Sequence, residues 1–210
     1  MSGQEAPRQR APRRSVEERR AMVVAAAIPL LAELGPSVTT LQIARAAGIS
    51  EPTVFRAFTD KDELLAACLA HVSDPTRVIA ELAAVDPELP LRERLVAVID
   101  AVSAQAALTG AVVDAVRLAA PPRARSTDAA GDGERARATA GRDSARARLH
   151  AAVVAVLESD AGALRTSVGE VATVVLTIVT ALGTGARWSG DDDGLTAGAL
   201  ADLVLNGVAL

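Results

Sequence analysis

The chain has 210 residues, half of them apolar and 23% charged, with a formal net charge of −4. A chain of this size and composition buries a core as one large domain or two small ones, and is neither an intrinsically disordered nor a collagen-like protein. Its aromatic residues are Phe55, Phe58 and Trp188, its one cysteine is Cys68 and its histidines are His71 and His150, so stacking platforms for single-stranded nucleic acid, a disulfide framework and a zinc cluster are all excluded.

Charge is spread unevenly. Every basic residue except Lys61 is an arginine, and residues 1–20 carry Arg8, Arg10, Arg13, Arg14, Arg19 and Arg20 against Glu5, Glu17 and Glu18, whereas residues 71–210 are net acidic. An anionic partner is therefore expected at the N-terminal end only; the alternative is a solvated, disordered leader. The first fifteen residues have no apolar stretch of the secretory kind. The longest apolar runs, 21–32 and 171–182, fall short of the ~20 residues that cross a bilayer. The expectation is a cytoplasmic protein with no membrane partner, no metal and no cofactor.

Apolar residues recur at helical spacing along almost the whole chain, which predicts an all-α fold. Val23, Ala26, Ala27, Leu30, Leu31 and Leu34 form one stripe on a helix over 16–34 that Gly35 ends, with Pro29 inside it. Short helices are expected over 40–47 and 51–57. Another runs over 61–72, where Asp60 and Glu63 have capping-box spacing. Prolines at 75, 87 and 90 then bracket a helix over 76–85 and introduce one over 91–107, followed by another over 109–120. Residues 121–142, rich in glycine and charge and poor in large apolar residues, read as a flexible loop. Helical pattern resumes over 144–158, 167–188 and 195–208. In the stretch 171–182 strand competes, but Val168, Val171, Ala172, Val175, Val179 and Leu182 keep the 3.6 period over four turns.

Residues 39–58, TTLQIARAAGISEPTVFRAF, carry the chemistry. Gly48 can take the left-handed conformation that ends a helix, Ile49 plugs the corner, Ser50 stands at the N-cap of the next helix and Pro52 lies in its first turn. Two short helices joined by such a turn make either an ordinary helical corner or a helix-turn-helix, whose second helix enters the DNA major groove.

The residues Thr39, Ile43-Ala44, Ala47-Gly48-Ile49-Ser50, Pro52-Thr53, Phe55, Phe58, Lys61 and Leu64 make the segment from Val16 to Leu69 resemble the DNA-binding region of the TetR (tetracycline-repressor) family of bacterial transcription regulators. The resemblance implies a basic arm over 1–15, a three-helix DNA-binding domain over 16–72 and a larger helical effector-binding and dimerisation domain over 73–210. It further implies a dimeric repressor that binds a palindromic operator in double-stranded DNA and is released by a small-molecule effector. Thr39 and Thr40 at a helix N-terminus suit a phosphate, and Glu51, Pro52 and Thr53 open the recognition helix. Arg56 reaches a guanine or a phosphate, and Lys61 holds a phosphate. Phe55 stands where the family usually has tyrosine and Ala57 where a polar residue is common, so Phe55 packs its ring without a phenol hydrogen bond. Arg8, Arg10, Arg13 and Arg14 are expected to compensate along the backbone or the minor groove.

The resemblance also implies that the helices over 167–188 and 195–208 pair with their copies in a second subunit, with Gly183, Gly185 and Ala186 permitting close approach; the alternative is that they complete a monomeric core. Ligand-binding residues are not identified. Gln105, Arg117 and His150 are polar residues on apolar helices, Cys68 reads as a small core residue, and Asp191–Asp193 reads as a loop. A helical adaptor that has lost DNA binding, and an all-helical enzyme, remain as other readings. The sequence offers no nucleophile-base set for the latter.

Overall fold

A computed structural model of the protein describes residues 15–119, 132–183 and 195–208. Its secondary structure there is helical, without a strand: α1 (Val16–Leu34), α2 (Thr40–Ala46), α3 (Glu51–Ala57), α4 (Lys61–Ser73), α5 (Thr76–Ala83), α6 (Leu91–Ala119), α7 (Asp132–Leu157), α8 (Val168–Gly183) and α9 (Ala197–Val208). The fold is all-α, as its sequence pattern predicts. Trp188, Gly185, Ala186 and Asp191–Asp193 lie outside the described residues.

Two expectations are corrected. The helices read as 91–107 and 109–120 are one, α6, of 29 residues. Gly110 costs only about 1 kcal/mol inside a helix, and burial of Val112 and Ala115 beyond it outweighs that cost. Thr109 turns its hydroxyl back onto the Gln105 carbonyl at 2.8 Å and stays in register. The second correction concerns residues 132–142, which belong to α7 and not to a loop. This stretch has few apolar residues to show a period, but its alanines and arginines are strong helix formers.

Two hydrophobic clusters form the interior. The first is built by α1 to α4, with Val23, Ala27, Leu31, Ile43, Val54, Phe58, Leu64 and Cys68 at its centre; the second by α5 to α9, around Val78, Leu95, Ile99, Leu157, Val171, Val175 and Leu200. Helix α6 belongs to both, since Leu95 to Val102 pack in the second cluster and Val112 and Ala115 in the first. This double duty explains why α6 is apolar over so much of its length. By length and composition alone the stretches Val16–Ser37 and Leu91–Ala119 reach what crossing a membrane requires, longer than the apolar runs of the sequence suggest.

The helices meet through a few specific polar ties. Arg94 is 3% exposed, donating to the Val156 carbonyl at 2.8 Å and the Ser159 hydroxyl at 2.6 Å and pairing with Asp160. It fastens the start of α6 to the end of α7, so these helices run antiparallel. His150 Nε2 lies 3.0 Å from the Gly169 carbonyl and 3.1 Å from the Thr173 hydroxyl, joining α7 to α8. Arg92 holds Asp202 of α9 with two bonds of 2.6 and 2.9 Å. Pro29 lies with Ala25, four residues earlier, on the exposed face of α1, where the carbonyl that loses its N–H partner faces solvent.

Candidate nucleic-acid interface and helical cavity

The corner between α2 and α3 is a Schellman turn. Gly48 has φ +67°, its N–H donates to the Arg45 carbonyl at 3.1 Å, and the Ile49 N–H donates to the Ala44 carbonyl at 3.0 Å. Ile49 folds back against the first cluster. Helix α2 starts with a capping box: the Thr39 hydroxyl accepts from the Gln42 N–H, and the Gln42 side chain accepts from the Thr39 N–H. Ser50 stands at the N-cap of α3, but its hydroxyl shares a 2.8 Å hydrogen bond with the Thr53 hydroxyl instead of accepting from the backbone.

The residues singled out from sequence gather on one side of this corner. Thr40 donates to the Glu51 carboxylate at 2.5 Å, which ties the start of α2 to the start of α3. Pro52, Phe55 and Arg56 are exposed on α3, Phe55 at 48%, while Val54, Ala57 and Phe58 turn inward. Arg56 makes no hydrogen bond or ion pair among the described residues. Ala57 is buried, so the position compared with a polar residue of the family forms part of the core here. Lys61 donates to the Val38 carbonyl at 2.7 Å and the Pro36 carbonyl at 3.2 Å. Its ammonium therefore sits beside the entry to α2, with a third N–H left over. Arg8, Arg10, Arg13 and Arg14 lie outside the described residues.

Arg20 is the residue that sequence reading missed, having been counted with the basic arm. Its guanidinium donates to the Ala57 carbonyl at 2.5 Å and pairs with Glu63 at 2.7 Å, and it lies 4.2 Å from the centre of the Phe58 ring. It caps the C-terminus of α3 from α1, the side where the helix dipole favours a cation. Only the chain's folding onto itself joins residues 20, 57, 58 and 63, so no spacing announces the cluster. The Asp60 cap accepts from the Glu63 N–H at 2.8 Å, as expected, but Glu63 reaches back one residue further, to the Thr59 N–H at 2.6 Å. That bond, with the Arg20 guanidinium, holds the Glu63 carboxyl below its ordinary range. Cys68 is fully buried, and desolvation pushes its thiol up to about 12, as befits a core residue without a reactive thiolate.

A second feature lies between the end of α4 and helices α6, α7 and α8. It is an open cavity of about 540 Å³ lined by Val72, Gln105, Arg146, Leu149, Leu176 and Thr177 among others, adjoined by one of about 360 Å³ that includes Arg117. Gln105 and Arg117 thus face cavities, whereas His150 is used in helix packing. The Val72 carbonyl at the end of α4 accepts from the Gln105 amide at 2.5 Å and the Thr109 hydroxyl at 3.1 Å. Both donors line the cavity, so its wall and the last turn of α4 share hydrogen bonds.

An all-α molecule with an exposed helix-turn-helix at one end and a cavity among longer helices at the other has the architecture of a helix-turn-helix regulator. The model of the bacterial regulatory proteins of the tetR family matches residues 23–68. Over 60 residues the chain is 45% identical to the HTH-type transcriptional regulator HbdR of Aromatoleum sp. (strain CIB), a match that covers 28% of this chain and spans about a quarter, 26%, of that relative. Among solved structures, TetR transcriptional regulator SCO0520 from Streptomyces coelicolor covers 90% of this chain and 98% of its own at a TM-score of 0.58 and 22% identity. Superantigen PfiT covers 93% of this chain and 98% of its own at a TM-score of 0.52 and 24% identity. These two likenesses show a shared fold. The likeness in sequence to the tetR family lies in the helix-turn-helix segment, residues 23–68.

Proposed function

We propose that the protein is a transcriptional regulator that binds double-stranded DNA through α2 and α3 as a homodimer, acting as a repressor of a palindromic operator and released by a small molecule held in its helical cavity. The observation that carries this reading is the exposed face of α3: Pro52, Phe55 and Arg56, with half-buried Thr53 beside them, project from a helix whose back is locked by Val54, Ala57, Phe58 and Arg20.

Each candidate residue has a role consistent with its position. Thr39 and Thr40 sit at the N-terminus of α2, where N–H groups and the dipole favour a phosphate oxygen, and the Lys61 ammonium lies alongside. Glu51, bonded to Thr40 through one carboxylate oxygen, keeps the other for a cytosine amino group. Thr53 reaches a base or a thymine methyl, Pro52 brings the first turn of α3 close to the groove, and Phe55 packs on sugar-phosphate. Arg56 takes a guanine edge or a phosphate. The arm arginines, Arg8, Arg10, Arg13 and Arg14, add phosphate contacts that strengthen binding at low salt. In this reading 1–15 is the arm, 16–72 the DNA-binding domain and 73–210 the effector and dimerisation domain.

Dimerisation uses α8 and α9. Val174 is 47% and Leu203 64% exposed, on helices whose other faces are buried against α6 and α7, and a second copy would cover both on a two-fold axis. Release follows from the shared hydrogen bonds at Val72. An occupant that pushes on Gln105 and Thr109 moves the end of α4, and with it the spacing of two recognition helices that must match half-sites about 34 Å apart.

Selection from a randomised duplex library tests the reading. An enriched inverted repeat, with half-sites about one helical turn apart and affinity falling steeply with salt, is expected. A folded sample that retains no sequence would overturn DNA recognition and direct attention to a protein partner.

A further inference from the structure

We infer that the cavity takes an aliphatic carboxylate, its chain along the apolar wall and its anionic head at an arginine end. This rests on the reading of the cavity as the effector site and specifies what fits there. Val72, Leu149 and Leu176 supply the apolar lining, and no aromatic ring lines it among the described residues. A flat guest finds nothing to stack on, whereas a flexible chain gains with every methylene removed from water.

Charge is concentrated at one end. Arg142, Arg146 and Leu149 line the cavity from successive turns of α7, so the wall changes from guanidinium to aliphatic along the helix. The adjoining cavity shares Gln105, Thr109, Leu149 and Thr180, and along α6 it runs from Val102 to Arg117. Because the bonds of Arg94 to Val156 and Ser159 set α6 and α7 antiparallel, Arg117 lies toward the same end as Arg142 and Arg146. Among the described residues the larger cavity has no carboxylate in its lining, and the smaller has Asp114. Arg146 makes no hydrogen bond or ion pair among the described residues. An arginine fork with no acid opposite it matches a planar carboxylate, which accepts two parallel N–H bonds.

Calorimetric titration of the full chain with sodium decanoate and with decan-1-ol tests this. Decanoate is expected to bind about tenfold or more tightly, the effect of a charge-assisted hydrogen bond, with the difference shrinking at high salt. The double variant Arg142→Gln/Arg146→Gln should lose that preference while still binding decan-1-ol. Thr177→Trp, which fills the cavity, should abolish binding of both with helicity unchanged. Equal affinity for the two probes, a preference that survives the double variant, or no binding of either overturns the inference. Release of DNA is read separately in the same samples. Decanoate that binds and leaves DNA in place upholds the ligand class and removes the effector reading. DNA released by other small molecules, with decanoate unbound, does the reverse.

Discussion

Arg20 shows how much one side chain can decide. Phe58, Ala57 and Glu63 belong to α3 and to the start of α4, and a single guanidinium on α1 meets all three. Replacing Arg20 with Ala should cost about 2 kcal/mol through the lost charge-assisted bonds and loosen the C-terminal end of α3; thermal melting and DNA affinity check it together. Glu63 supplies a pH signature. Its folded pKa lies below the ordinary 4.5, so its contribution is present above that value and disappears as pH falls through the lowered one. Melting temperature measured across the acid limb should fall less steeply in Glu63→Gln than in the parent chain. Arg94 is the buried counterpart of this exposed pair. Arg94→Ala removes the guanidinium from Asp160 and one donor from the Val156 carbonyl, and should cost about 3–5 kcal/mol, more than the volume-matched Arg94→Met. Denaturant unfolding separates the two. Neither arginine is distinguished in sequence from its many neighbours of the same type, because their partners lie 37 and 62 residues away.

At the scale of elements, local chemistry was legible wherever it acts within a few residues. The stop at Gly35, the cap at Asp60, the turn at Gly48 and the bounds of α3 follow from capping, left-handed φ and helical period, all of which operate over one or two turns. Gly48→Ala tests the turn. No atom lies within 4 Å of the added methyl, so the cost is that of holding a non-glycine residue at positive φ, about 1–2 kcal/mol, and circular dichroism melts should show it without a loss of helix content at low temperature. Helix α6 escaped sequence reading for the opposite reason. Its continuity past Gly110 depends on α1 and α4 covering Val112 and Ala115, contacts that a window of one or two turns does not contain. The start of α7 is not legible in apolar period, because its helix rests on the propensity of its alanines and arginines.

For the molecule as a whole, α6 is the element through which the two clusters communicate. It carries Gln105 and Thr109, whose bonds to Val72 join the cavity wall to the end of α4, and in the proposed function this is the link between an occupant of the cavity and the set of the helix-turn-helix. The proposed dimer makes a prediction at this scale. Val174→Asp and Leu203→Glu place charges on exposed positions whose burial would occur only between subunits. Sedimentation should show dissociation with helicity retained, and affinity for a palindrome should drop toward that of a single half-site. A dimer that persists in both variants would place the interface away from α8 and α9.

The sequence by itself determined the all-α class, the helix-turn-helix and its turn, and the likeness of that segment to the tetR family, because each is written in patterns of helical period, capping and glycine placement that span a few residues. Only the tertiary structure decided that Arg20 locks α3, that Lys61 caps the carbonyls before α2, that Ala57 is core, that α6 is a single helix and that an arginine-ended cavity opens beside α4. Those facts depend on which distant segments meet, and contacts of that kind are set by the joint burial of both clusters.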